Sequence, residues 1–307
     1  LNILFLQNYR HINLSLIRYF FHFLITSKLF MFGNINHKLF KMKKILFLFL
    51  GLLLFGCEES QEKLEVKYPK LNGGKYIDWH GDNPLANELA LIGLHYFMNI
   101  EFQKAYAFFE ESLRYDPTMF APHVCLAEMA LNGSEKQKFH IAEAKRNVVD
   151  NNETSKLFVS LLDNEPDGKF LGYFDSSKAL NMWKKMHKME PKGRFIQLFY
   201  AFNLKDTKKS IDVTNNFIEM AKKQGFRHGF FNNLLGYRYL SLGDKEKSKL
   251  AFENYINAYP KGNNPYDSMG DFYLKTGDTL MAKKLLKKAV ETYPFAQSSK
   301  NKLNSLE

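Results

Sequence analysis

Residues 234–244 read Leu-Leu-Gly-Tyr-Arg-Tyr-Leu-Ser-Leu-Gly-Asp, and residues 268–278 read Ser-Met-Gly-Asp-Phe-Tyr-Leu-Lys-Thr-Gly-Asp. An offset of 34 residues lays Gly236 on Gly270, Tyr239 on Tyr273, Gly243 on Gly277 and Pro260 on Pro294. A fixed period in this range, made of two helical patterns, means stacked helical hairpins. Gly236 and Gly270 carry no Cβ, so two helices can approach closely at each. Tyr239 and Tyr273 lie one turn on and fill the groove beside that contact. Gly243-Asp244 and Gly277-Asp278 end the first helix of each pair and reverse the chain, and Pro260 and Pro294 close the second. One hairpin cannot bury its own apolar face, so neighbours must stack.

Working outward, the same register finds earlier copies. Gly93, Tyr96, Ala105, Phe109 and Asp116-Pro117 hold the expected places in a first repeat near 86–119. A second, near 120–153, puts Ala127 and Ala130 where Gly and Tyr would stand, and Ser134-Glu135-Lys136-Gln137 reads as a capping box. A third, near 154–193, is interrupted: Thr154–Leu162 and Asp175–Glu190 read as helices around a polar insertion from Asp163 to Phe174. That insertion is either a tolerated surface loop or a place where function sits. Ala201, Leu204 and Phe217 carry a fourth repeat near 194–228. The fifth and sixth, near 229–262 and 263–296, are the pair that opens this section, and 297–307 reads as a polar capping helix. The run Gly270, Tyr273, Ala282, Leu286, Ala289, Pro294 resembles the tetratricopeptide repeat. The resemblance implies an all-α fold, a right-handed α–α superhelix of about six hairpins, and a non-enzymatic role in holding protein partners.

The N-terminal part reads differently. Met42-Lys43-Lys44 is a basic start, Ile45–Phe55 is apolar apart from Gly51, and Leu54-Phe55-Gly56-Cys57 follows. Basic start, short apolar core and small residue are the layout of a secretory signal, and the apolar run is too short to span a bilayer. The ending resembles the bacterial lipobox, which implies that residues 42–56 are removed and that Cys57 carries lipid; otherwise Cys57 is incidental to a plain signal. Residues 1–41 begin with Leu and show no helical or strand period, so Met42 is expected to be the true start; otherwise they form a membrane-associated arm. Residues 57–85 are expected to be a tether. Its Glu58-Glu59-Ser60-Gln61-Glu62 resembles the acidic export tags that place some lipoproteins of the Bacteroidetes on the outer face of the outer membrane, and Tyr76, Trp79 and His80 are expected to dock on the first repeat. The expected location is the bacterial cell envelope, most simply the outer membrane.

The formal charge of +11 is not a nucleic-acid signal. Residues 1–57 hold seven of the 43 basic residues and no Asp or Glu, so the remainder balances 36 basic against 32 acidic residues. No catalytic motif or phosphate loop is present, and no cofactor or metal is expected. His123 and Cys125 lack a second pair at ligand spacing, and Cys125 reads as a buried thiol beside Val124 and Leu126. If the first helix of each pair lines a concave face, Asn233, Tyr237, Asp267 and Asp271 are the candidate partner-binding residues. By the same offsets the first repeat contributes Ala90 and Leu94, so the Lys and Asn set with which some family members clamp a partner's C-terminal carboxylate is missing. A second reading, a surface lipoprotein that binds glycans or nutrients, would need Trp79, Trp183 and the tyrosines to share one groove.

Overall fold

The computed structural model describes residues 76–306. The expectations for residues 1–75, Cys57 included, lie outside the described residues. Thirteen α-helices and no strand occur among the described residues. They are α1 (Pro84–Met98), α2 (Phe102–Tyr115), α3 (Phe120–Met129), α4 (Glu135–Asn147), α5 (Glu153–Ser160), α6 (Ala179–Met189) and α7 (Arg194–Asn203). Then come α8 (Thr207–Lys223), α9 (Gly229–Ser241), α10 (Lys245–Ala258), α11 (Asn264–Thr276), α12 (Thr279–Thr292) and α13 (Gln297–Asn304). Each helix packs on the next along the chain. The result is six hairpins and a last helix, an all-α stack of the α–α superhelix class.

The small-residue rule explains the close pairs. A Cβ on Gly236 would overlap the ring of Phe252, one on Gly93 would lie 2.7 Å from the ring of Phe109, and one on Gly270 would lie 3.0 Å from Leu286. In each case the first helix lacks a side chain where the second inserts a large one. Phe109, Phe252 and Leu286 are all fully buried as a consequence.

The turns use a two-residue device. Gly243 and Gly277 take φ of 77° and 92°, the left-handed conformation that stops a helix. The following aspartate then caps the next helix: Asp244 accepts from Lys247 N and Asp278 from Met281 N. Ser134 caps α4 at Gln137 N as the capping box predicts, and the Gln137 side chain reaches back to Gly133 N, one residue before the cap.

The first hairpin departs from this device, and the departure shapes the array. In the same register Ile100 and Glu101 stand where Gly-Asp stands later. Ile100 still takes φ 60°, a conformation that costs a β-branched residue of order 1–3 kcal/mol. Glu101 does not cap its own helix α2. Its longer side chain crosses to α11, where it accepts from Asn263 N at 2.7 Å, Asn264 N at 3.3 Å and Tyr259 Oη at 3.0 Å. Lys104 closes the other side at 2.7 Å. The N-cap residue of α11, Asn263, makes no side-chain cap of its own, so a carboxylate from the first turn supplies it. Beside it, Tyr255 Oη donates to Asn99 Oδ1 at 3.1 Å, and Lys104 lies 4.6 Å over the ring of Tyr293. The stack therefore returns on itself, with its first turn against its fifth and sixth hairpins.

The third hairpin differs from its sequence reading. α5 is followed by a 3-10 turn, Leu161–Asp163, and α6 starts at Ala179 rather than Asp175. Asp175 is held out of the helix because its carboxylate accepts from Phe170 N and Leu171 N. The Tyr76–His80 segment also differs. Trp79 packs on Phe109, Phe158 and Phe195 at 6.2, 6.0 and 5.6 Å, so it bridges the first, third and fourth hairpins instead of docking on the first alone.

Two stability measurements check this account. Gly236→Ala is expected to lose about 1–3 kcal/mol by overpacking, more than the roughly 1 kcal/mol a helical Ala gains over Gly, and to cost more than Gly270→Ala. Glu101→Ala is expected to lose about 3–5 kcal/mol in urea unfolding, because Asn263 N, Asn264 N, Tyr259 and Lys104 lose one shared partner. Faster hydrogen exchange at the Asn263 and Asn264 amides should accompany it, and unchanged protection there would contradict the remote cap.

Candidate functional site

Four first helices, α1, α7, α9 and α11, face a cavity of about 630 Å³ that the loop at Phe170-Leu171 and helix α13 help to wall. One side is apolar: Phe97, Met98, Ile100, Phe102, Leu198, Phe199, Phe202, Phe230 and Leu234. The other is polar: Asn233, Tyr237, Arg238, Asn263, Asn264, Asp267, Ser268, Asp271, Ser299 and Lys302. This size and this mixture, a mostly apolar wall with a few placed polar groups, are those of a ligand site.

Asn233, Tyr237, Asp267 and Asp271, named from the register, all line this cavity. They do not form a free acidic clamp. Lys302 of α13 lies 2.6 Å from Asp267 and 2.8 Å from Asp271. Ser299 Oγ donates to Asp267 at 2.6 Å, and Tyr237 Oη donates to Asp271 at 2.9 Å. Burial, and then the charge of Asp271, push the Tyr237 phenol well above its usual range, so it remains a donor. Arg238 is spent on Ser210 and on backbone: Nε donates to Ser210 Oγ at 3.0 Å and Nη2 reaches the carbonyls that end α7. Asn233 is different. It is 4% exposed, and its Oδ1 has no hydrogen-bond partner among the described residues.

The other candidates lie elsewhere. Ala90 is buried between hairpins, and Leu94 lines a smaller cavity of about 80 Å³ under Tyr76 and Trp79. Trp79 is buried, and Trp183 is fully so, its indole N–H donating to Phe174 O at 2.8 Å. Neither tryptophan can stack on a sugar, which takes its main support from the glycan reading. Cys125 is fully buried, and burial pushes its thiol up. His123 pairs with His140, Nδ1 to Nδ1 at 2.8 Å, rather than with Cys125. No group of three ligating side chains suited to a metal ion occurs among the described residues.

Sequence reading left the insertion open between a surface loop and a functional one, and missed a second contributor to this site. The insertion supplies Phe170 and Leu171, and Glu128 fastens it by accepting from Tyr173 N and Phe174 N at 3.0 and 3.1 Å. The last helix supplies Lys302; its sequence suggested only a polar cap. Ile100 was legible in principle, because it occupies a glycine position of the repeat.

The geometry defines a helical-hairpin repeat protein with a partly open cavity. Residues 265–295 match the family model described as tetratricopeptide repeat. Comparison with curated protein sequences gives no match. Among solved structures, the chain is similar to a thermophilic TPR protein of Thermus thermophilus, with 13% identity, TM-score 0.40, and coverage of 72% of this chain and 98% of that one. It is also similar to PilW, a type IV pilus biogenesis factor, with 13% identity, TM-score 0.38, and coverage of 72% and 99%. The Cut9–Hcn1 hetero-tetramer of the APC/C gives 16% identity, TM-score 0.44, and coverage of 72% and 42%. Nothing about this chain's partners follows from likenesses of this size.

The pH dependence of stability tests how the cavity wall is held. Burial pushes the Glu128 carboxyl up to about 8 from its ordinary 4.5, against the two backbone N–H groups that favour the anion. Between those values the folded chain holds a proton that the unfolded chain releases, so this group's contribution falls as pH rises from about 4.5 to 8. Burial lowers His140 to about 4 from 6.5, which makes its contribution fall in the other direction, as pH drops through that window. Glu128→Gln is therefore expected to flatten the urea-unfolding profile above pH 6.5 and to leave a slope of stability rising with pH from about 4 to 6.5. A variant with the wild-type decline toward pH 8 would refute the neutral acid.

Proposed function

We propose that the chain is a non-enzymatic scaffold, lipid-anchored in a bacterial cell envelope, that holds a protein or peptide segment in the cavity. One observation carries this reading: the first helices of four hairpins bring Asn233, Tyr237 and a run of phenylalanines to one partly open cavity of about 630 Å³. The tetratricopeptide match at 265–295 supports the same reading. The anchor rests on the sequence, where Met42–Gly56 has the form of a secretory signal and Cys57 follows the lipobox-like Leu-Phe-Gly. No helix among the described residues is long and apolar enough to cross a membrane. Two acyl chains or more on Cys57 would hold the chain at a bilayer surface, each buried methylene adding about 0.8 kcal/mol. The outer membrane is the proposed address.

Two experiments test the two halves of the proposal. Cells fed an alkyne-labelled fatty acid should incorporate it into the wild-type chain and not into Cys57→Ala; equal labelling of both removes the anchor. A photo-crosslinking amino acid placed at Gln103, exposed on the cavity wall, should give a discrete cross-linked protein in intact cells. The same group at Leu280, 80% exposed and away from the cavity, should not. Identical patterns from the two positions would count against the cavity as the binding face.

A further inference from the structure

The near balance of charge after residue 57 conceals a sorting along the chain. Residues 76–175 carry 8 basic and 16 acidic residues; residues 176–306 carry 24 basic and 11 acidic. The two stretches differ in pairing as well as in number. In the first, six of the eight basic residues lie in ion pairs. In the second, four of the 21 lysines do: Lys247, Lys249, Lys288 and Lys302. The other lysines there have no ion-pair partner among the described residues.

The free charge sits on one set of helices. The second helices of hairpins three to six, α6, α8, α10 and α12, hold 14 lysines against 5 acidic residues. All of these lysines but Lys283 are exposed. No residue of these four helices lines the cavity. Their outer side is therefore a basic surface separate from it. On α12, Leu280, Lys284, Lys287 and Lys288 recur at helical spacing, and all four are exposed. Leu250 holds in α10 the 34-residue register of Lys284. Leu250 is 56% exposed and Leu280 80%, so aliphatic side chains stand among the lysines.

Three features select the anion. Residues 176–306 have 21 lysines and 3 arginines. Arginine's planar fork grips one phosphate in a fixed geometry, whereas lysine is a hydrated point charge that suits a diffuse anionic plane. The aromatic residues of the four helices, Trp183, Phe217, Phe252 and Tyr255, are all buried, so none is left to stack on a base. Exposed leucines among lysines suit a boundary with charged headgroups above an aliphatic interior.

We propose that the outer side of α6, α8, α10 and α12 docks on a bilayer surface rich in anionic lipid headgroups, with or without lipid on Cys57. The acidic first stretch is repelled by the same plane, so the contact is confined to hairpins three to six. Docking uses none of the residues that line the cavity. Each lysine near such a surface multiplies the affinity about fivefold at low salt, and added salt screens the gain.

The test uses the full chain with Cys57→Ala, which has no thiol there to acylate, and vesicles of phosphatidylcholine with and without phosphatidylglycerol. The readout is the ratio of its partition constants on the two, because any contact made by residues 1–75 is common to all variants. Lys208→Gln, Lys222→Gln, Lys284→Gln and Lys287→Gln together should lower that ratio about tenfold or more at low salt, and high salt should erase the difference. Lys138→Gln, Lys145→Gln, Lys156→Gln and Lys169→Gln together give the same net charge and should leave the ratio within about twofold. All eight side chains are exposed, so both variants should melt near the wild-type temperature. Leu280→Ser should weaken binding to the mixed vesicles several-fold and leave its salt dependence unchanged. Equal ratios in the two fourfold variants overturn the inference. So does a DNA duplex that holds the chain as tightly as the mixed vesicles do and is lost in the first variant alone, which would make this a nucleic-acid surface. Neither result touches the scaffold or the anchor, whose tests read the cavity and Cys57.

Discussion

A buried carboxylate from the first turn caps a helix in the last hairpin, and the path of the helical stack follows from that contact. Glu101 is 2% exposed, and its partners are a helix N-terminus, a tyrosine and a lysine. Such an anion is stable in the interior only where several donors converge, and the helix dipole of α11 adds to them. A repeat stack is held mainly by nearest neighbours, so its ends are normally independent. Here the ends are coupled across about 160 residues of sequence. The groove between them is partly walled as a result.

The first turn serves two purposes that pull against each other. Gly-Asp would make the turn without strain and cap the local helix, as it does after α9 and α11. Ile100-Glu101 gives up both advantages. The isoleucine sits at φ 60° and lines the cavity; the glutamate leaves α2 without a side-chain cap and reaches α11. Local stability is traded for closure of the ring and an apolar cavity wall. The same logic applies to Glu128, whose buried carboxyl is spent on holding the insertion against α3 and keeping Phe170-Leu171 at the cavity.

The hairpins were legible in the sequence because the signals that make them are local. A glycine with a large residue 16 positions later, as in Gly93/Phe109 and Gly236/Phe252, and a turn followed by an aspartate cap, all act within one repeat. The four cavity residues on α9 and α11 were legible for the same reason: register puts them on one face. Closure was not legible. It depends on one extra methylene in Glu101 and on a partner whose own cap is missing, and no spacing rule connects the two. The charge balance of the cavity was hidden as well, since Lys302 lies in a helix whose composition shows only that it is polar. Trp79 was expected to dock on the first repeat alone because its segment has no period; rings from three hairpins make it core.

The acids and the amide on the cavity wall meet burial in opposite ways. Asp267 and Asp271 with one lysine, one serine and one tyrosine make a network with each carboxylate doubly bonded. Breaking into it would strand charge in a poorly hydrated place. The buried amide oxygen of Asn233 has the reverse property: it carries a desolvation cost that no partner offsets. The polar side of the cavity thus carries its charge in closed pairs and its uncompensated burial cost on two amides, Asn233 and Asn263.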